Sequence, residues 1–394
     1  RTSPYFNSSF SDSLDPLYRF GIKQEVSISC NDKFNVFIRG RLENKGDLDT
    51  QFGGRKWKEN LTGYFDYGLI TYKFKGFQIY YGRTYIIWGP GDTDRLLLSD
   101  NSPAFDQIGG IFTYKWAKFS TFLTRLDDFY RNTDTVTTRY LAGHRLMLRP
   151  IRNLQVGLSE TVLFGRQEGG FEWYYANPVL PYYWEQWNNP GDDNVYMGLD
   201  FIWWPMRNTR VYGELMIDDF QIDFESEANQ VGFDLGFSRL GWFGLNRLRL
   251  DAQYTHIRDF VYSQVYTHNL FTNHGVVIGS SLGPDGDRSR LKAQYVVSQP
   301  LTIFVTGSYR RKGEGRVTAD RPAAAPRGEK FPSGTVEKTV ITGLGANLLF
   351  APYFDLAIEG GYLNIDNRYN VPGRFESPYA LIRCQIDLQF WFRL

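Results

Sequence analysis

Apolar and polar residues alternate along the C-terminal stretch 379–394, YALIRCQIDLQFWFRL. Ala380, Ile382, Cys384, Ile386, Leu388, Phe390, Phe392 and Leu394 share one parity, and Arg383, Gln385, Asp387, Gln389 and Arg393 share the other. Successive strand side chains point to opposite faces, so this is a ribbon with one oily and one charged side. The pattern recurs. Phe20, Ile22, Val26 and Ile28 alternate with Lys23, Glu25 and Ser27, and Val36, Ile38 and Leu42 with Asn35, Arg39 and Arg41. Leu248, Leu250 and Ala252 oppose Arg249, Asp251 and Gln253; Leu291, Ala293 and Tyr295 oppose Arg290, Lys292 and Gln294. Leu301, Ile303 and Val305 oppose Thr302 and Thr306, while Leu356 and Ile358 oppose Asp355 and Glu359.

The connections alternate in length. Tight turns such as Lys75-Gly76, Ala117-Lys118, Gln299-Pro300 and Ala351-Pro352 are separated by long segments at 87–107, 165–193, 259–286 and 311–334. Short turns on one rim and elaborated loops on the other are the habit of outer-membrane barrels. The ribbons number about 18, an even count with both termini on the short-turn side. The expected fold is therefore all-β, a closed antiparallel transmembrane β-barrel of about 18 strands with long extracellular loops. Closure would leave no unpaired edge in hydrocarbon and would put the charged face in the lumen. A propeller would need a repeat of about 40 to 50 residues, and none is visible.

Composition narrows this further. The chain has 394 residues, with 26 Tyr, 31 Phe, 10 Trp and 39 Gly. No linker divides it, so residues 1–394 read as one domain, with 1–16 either a short first strand closing against the last or an N-terminal extension. No apolar run reaches the roughly 18 residues of a membrane helix, and any export signal is expected to have been removed. Mean hydropathy is −0.39, which a barrel alternating lipid-facing and lumen-facing residues would also give. A net charge of +1 gives no electrostatic reason to expect nucleic acid. Cys30 and Cys384 are too few for a disulfide framework and are expected to be free and apolar-facing.

Two loops carry candidate chemistry. Residues 87–108, IWGPGDTDRLLLSDNSPAFDQI, hold Trp88, the Gly89-Pro90-Gly91 turn and an oxygen-rich set, Asp92, Asp94, Asp100 and Asn101. Such a set suits calcium or sugar hydroxyls, or else a self-packed loop whose Asx residues set turns. Residues 165–194 carry Phe171, Trp173, Tyr174, Tyr175, Tyr182, Tyr183, Trp184 and Trp187 among Glu172, Asn177, Glu185, Gln186 and Asn188. Flat aromatics beside amides and carboxylates match the C–H faces and hydroxyls of sugars, though an inward plug would use the same residues. Asp218 and Asp219 follow Glu214 on a strand, where neighbouring residues face opposite ways, so they make a poor acid–base pair. His144, His256, His268 and His274 lack metal-ligand spacing. No metal, cofactor or catalytic constellation is expected.

With these residues in view, the chain resembles the capsule-assembly Wzi family of outer-membrane proteins. The resemblance rests on Trp88-Gly89-Pro90-Gly91 with Arg95-Leu96 and Asn101; on Asn177-Pro178, Trp184, Asn188, Asn194 and Gly198-Leu199-Asp200-Phe201; on Tyr212-Gly213-Glu214 with Asp218-Asp219; and on Tyr266-Thr267-His268 with Leu282-Gly283-Pro284-Asp285-Gly286. It implies a monomeric, occluded barrel that acts as a surface lectin for capsular or exopolysaccharide. The family's helical segments ahead of the barrel have no counterpart in the non-helical pattern of residues 1–15, and Leu394 stands where an aromatic residue is common.

The expectation is thus an outer-membrane protein in contact with lipid and polysaccharide. Its outward surface would come from Trp88, Asp92, Asp94 and Asn101 on one loop, Trp173, Tyr174, Tyr175, Tyr183, Trp184, Glu185 and Trp187 on another, and Asp218. A diffusion channel and a structural member of a larger outer-membrane assembly are the competing readings.

Overall fold

A computed structural model describes residues 2–11, 14–58, 61–130, 136–167, 170–189, 191–219, 229–317 and 330–388. Phe390, Phe392 and Leu394 of the C-terminal ribbon lie outside them. Among the described residues one antiparallel sheet of 20 strands dominates, as the period-2 pattern requires. Its long strands are β1 (Thr2–Ser11), β2 (Leu14–Cys30), β3 (Phe34–Glu43), β4 (Leu61–Phe74), β5 (Phe77–Thr84), β6 (Phe105–Tyr114), β7 (Ala117–Arg125), β8 (Val136–Ile151) and β9 (Leu154–Gln167), then β10 (Asn194–Trp203), β11 (Thr209–Asp219), β12 (Gln230–Trp242), β13 (Leu245–Ile257), β14 (Gly286–Val296), β15 (Leu301–Lys312), β16 (Glu337–Phe350), β17 (Phe354–Asp366) and β18 (Arg374–Ile386). Two short strands, Arg55–Lys58 and Phe129–Tyr130, lie against β4 and β8.

Each long strand pairs with the next in sequence, and β1 also pairs with β18, from Tyr5 opposite Gln385 to Ser11 opposite Tyr379. The first residues therefore form a strand against the last one. Cys30 and Cys384 are free, on strands separated by β1.

The two faces differ as the alternation demands. On one, Phe20, Ile22, Ile79, Leu291, Leu344 and Ile358 are exposed. Apolar rows that no second sheet covers are unstable in water and at home in hydrocarbon. On the other face charges pair: Arg39 and Arg41 reach Asp66 at 2.6 and 2.7 Å, and Arg145 grips Asp200 through two nitrogens at 2.5 and 2.9 Å. The main apolar core also lies on this inner side, where Phe122, Leu141, Leu163, Tyr196 and Met216 of the wall meet loop residues. No described helix is long and apolar enough to cross a membrane.

Candidate functional site

The loop after β5 runs inward. Leu96, Leu97 and Leu98 are wholly buried among the inner wall residues, and Trp88 is buried with its ring 5.3 Å from Phe122. The earlier expectation that this loop forms the outward surface is corrected here: three consecutive leucines each gain about 1.5–3 kcal/mol on leaving water, and the apolar interior is where they can do so. Glu214 of β11 anchors the turn, accepting the backbone N–H groups of Leu96 and Leu97, each at 3.1 Å. Its carboxylate comes so close to Gly89 (φ 100°) that any Cβ there would meet it, which explains the glycine in Trp88-Gly89-Pro90-Gly91.

The oxygen-rich set is dispersed rather than convergent. Asp92 pairs with Arg210 at 3.0 Å, Asp94 is buried against Arg288 at 2.9 Å, and Asp100 lies 3.7 Å from Arg95. Asn101 donates to the carbonyl of Val277 at 2.9 Å. Asp94 and Asn101 thus tie the loop to its surroundings instead of facing outward. A second segment, residues 258–285, packs against the first: Ser99 donates to the Gly279 carbonyl at 2.6 Å, and the Tyr262 hydroxyl to the Leu96 carbonyl at 2.6 Å. Asp218, buried, accepts the Tyr262 N–H at 2.7 Å. These hydrogen bonds hold the two loops and Phe271, Ile278 and Leu282 as one apolar body against the inner wall.

The aromatic loop takes the opposite side. On β8, Arg145 faces inward, so Ala142 and His144 do not; on β9 and β10, Val162, Phe164 and Val195 share that outer face. A second apolar cluster joins Ala142, Val162, Phe164 and Val195 to Tyr175 and Tyr182 of the loop. The loop therefore folds back over the outside of the wall. Its α-helix, α1 (Tyr182–Asn188), is tethered at its start by Glu160, which accepts the N–H groups of Tyr182 and Tyr183 at 2.9 and 2.7 Å. His144, directly opposite Glu160 in the ladder, completes the pair at 3.0 Å. A polar pair on a lipid-facing wall would be costly uncovered, and the helix covers it.

The loop's remaining residues divide by burial. Tyr175 is buried and donates to Asp193 at 2.8 Å; burial raises its hydroxyl pKa, and the Asp193 charge adds to that. Tyr174 packs edge-on to Tyr175, Tyr183 lies half-buried beside Trp187, and buried Glu185 accepts the Asn188 side-chain amide at 3.0 Å. Trp173, Trp184 and Trp187 are 80%, 70% and 74% exposed. The two loop systems meet over the rim: His268 Nε2 lies 2.8 Å from Asp192, and its proximity holds that carboxyl below the usual range. The sequence reading named His144 and Glu214 without these anchoring roles and passed over Glu160, for which a carboxylate on the apolar parity of β9 was the available signal.

The family model for capsule assembly protein Wzi matches residues 7–373. The chain belongs to the capsule assembly protein Wzi family. Among solved structures it is similar to Wzi of Escherichia coli, described as an outer membrane protein involved in group 1 capsule assembly and a carbohydrate binding β-barrel. Identity there is 14% and the TM-score 0.63, covering 99% of this chain and 85% of that one. It also resembles OccD3 of Pseudomonas aeruginosa, with 11% identity, TM-score 0.52 and coverage of 98% and 90%. OccK10 of the same organism gives 8% identity, TM-score 0.53 and coverage of 99% of each chain. No curated protein matches the chain. Family, sheet and exposed apolar face agree on the bacterial outer membrane.

Proposed function

We propose that this Wzi-family protein is a single closed transmembrane barrel of 18 strands that holds capsular or exopolysaccharide at the cell surface. Pairing of β1 with β18 supports closure, and the inward body built from residues 85–104 and 258–285 supports an occluded lumen rather than a channel. The observation that carries the binding reading is the exposure of Trp173 and Trp187 on a loop that is otherwise packed and hydrogen-bonded. Large flat rings held rigidly in solvent are suited to stack on sugar C–H faces. Trp88, Asp94, Asn101, Tyr175, Glu185 and Asp218 act as supports of these loops, and Asp92 and Tyr174 remain within reach of solvent. Trp173 packs edge-on against Phe171, and Tyr175 of the same four-residue turn, Trp173–Ala176, is buried, so the Trp173 ring is presented on a fixed base.

The test is binding of the detergent-solubilised protein to isolated polysaccharide from the same bacterium. Trp173→Ala and Trp187→Ala are each expected to weaken it about fivefold or more, an effect of roughly 1 kcal/mol. Unchanged binding by the double variant would refute the assignment. In planar bilayers the wild type is expected to be silent; a steady open conductance would favour the channel reading.

A further inference from the structure

We infer that the outer wall beneath the aromatic loop is a binding groove for one acyl chain of an outer-leaflet lipid. The groove has a volume of about 710 Å³, within the usual range for small-molecule sites. Its floor is Leu158 of β9, Met197 and Leu199 of β10 and Leu215 of β11; its lip is Val179 and Trp184 of the loop. The His144–Glu160 pair closes one end, with the carboxylate already occupied by the Tyr182 and Tyr183 amides. Among the described residues no Lys or Arg lines it, and His144 is taken up by Glu160, so the chemistry on offer is for hydrocarbon rather than for a headgroup.

Position decides the occupant. Arg166 marks the loop end of β9, and from there to Leu158 the strand descends roughly 20 Å at about 3.3 Å per residue and a tilt of ~40°. The groove therefore opens at the level of lipid tails, below the sugar-facing rim. Leu158, Leu199 and Leu215 are 49%, 45% and 36% exposed, and the same face continues along the wall as the apolar rows that the membrane covers. A lipid on a smooth barrel wall touches protein on one side. Here the folded-back loop adds a second wall, so one chain is gripped between Trp184 and the floor and exchanges slowly. The loop descends from the elaborated rim, and Leu158 lies about 10 Å above Leu154 at the short-turn end of β9, so the groove takes the terminal part of an outer-leaflet chain that enters beside the loop. This inference rests on membrane location, not on the polysaccharide reading.

The experiment uses the full chain extracted from outer membranes in mild detergent and measures fatty acyl chains retained per protein, with native mass spectrometry on the same sample. About one retained lipid per chain is expected in the wild type. In Leu215→Trp, which fills the groove from a lipid-facing position, retention is expected to fall at least fivefold while polysaccharide binding stays at the wild-type level. A second measurement refolds the wild type and Trp184→Phe into phosphatidylcholine vesicles brominated on the acyl chains. The difference between them isolates Trp184 fluorescence, which the brominated chains should quench and aqueous iodide should not. Equal retention in wild type and Leu215→Trp, a groove holding only purification detergent, or Trp184 quenched by iodide rather than by bromolipid would each overturn the proposal. Loss of polysaccharide binding in the Trp173 and Trp187 variants with lipid retention intact would leave it standing.

Discussion

Two long loops fold back on the same stretch of wall, one from each side. Residues 85–104 go inward and residues 170–189 go outward, over strands β7 to β11. The inner loop is driven by aliphatic bulk: Leu96, Leu97 and Leu98 bury completely, and one carboxylate, Glu214, fixes the turn. The outer loop is driven by rings: Tyr175 and Tyr182 pack on Phe164 and Val162, and again one carboxylate, Glu160, fixes the backbone. The same device, a wall carboxylate accepting two consecutive amides, serves both. What differs is the medium on the far side. The inner loop buries Trp88 and its three leucines under protein, whereas the outer one leaves Trp173, Trp184 and Trp187 bare on the lipid and surface side.

Breaking the inner side should cost most. Leu97→Ala removes a fully buried side chain from the inner body and is expected to cost about 2–5 kcal/mol, read as faster hydrogen exchange at the Leu96 and Leu97 amides. Exchange at Tyr182 and Tyr183 should not change, since the wall stands between; equal loosening of both loops would end the comparison. On the outer side, Glu160→Ala leaves two amides and His144 without their acceptor, with an expected cost of about 1–3 kcal/mol. Faster exchange at Tyr182 and Tyr183 with the inner amides unaffected is the expected readout.

The smallest effect is the clasp over the rim. Asp192 is lowered in pKa by its hydrogen bond to His268, with Arg166 at 3.8 Å adding to it. A depressed carboxylate contributes stability above its unfolded value, about 3.9, and loses it as pH falls through the lower folded value. For a half-exposed pair this is about 0.2–1 kcal/mol, screened by salt. Limited proteolysis near residues 191–193 should therefore accelerate as pH falls below about 4, and Asp192→Asn should remove that acid dependence.

The strands were legible because their signal is local. Period-2 alternation in Ile303–Val305 or Leu291–Ala293 needs nothing but the chain, and it predicted which side of each ribbon would be exposed. The loops were not, because loop residues carry no period. Asp92, Asp94, Asp100 and Asn101 look like a cluster in sequence, yet each is claimed by a different partner more than 100 residues away or by a neighbour such as Arg95. Glu160 stood out only as a charge on the wrong parity.

Alternation along each ribbon, read from residues alone, determined an all-β chain with one oily and one charged face, since side-chain direction in a strand follows from backbone geometry. Which loop entered the interior and which lay along the outside was decided by tertiary structure. That choice depends on Leu96 finding Tyr262 and on Tyr182 finding Glu160, contacts between groups distant in sequence that no local pattern encodes.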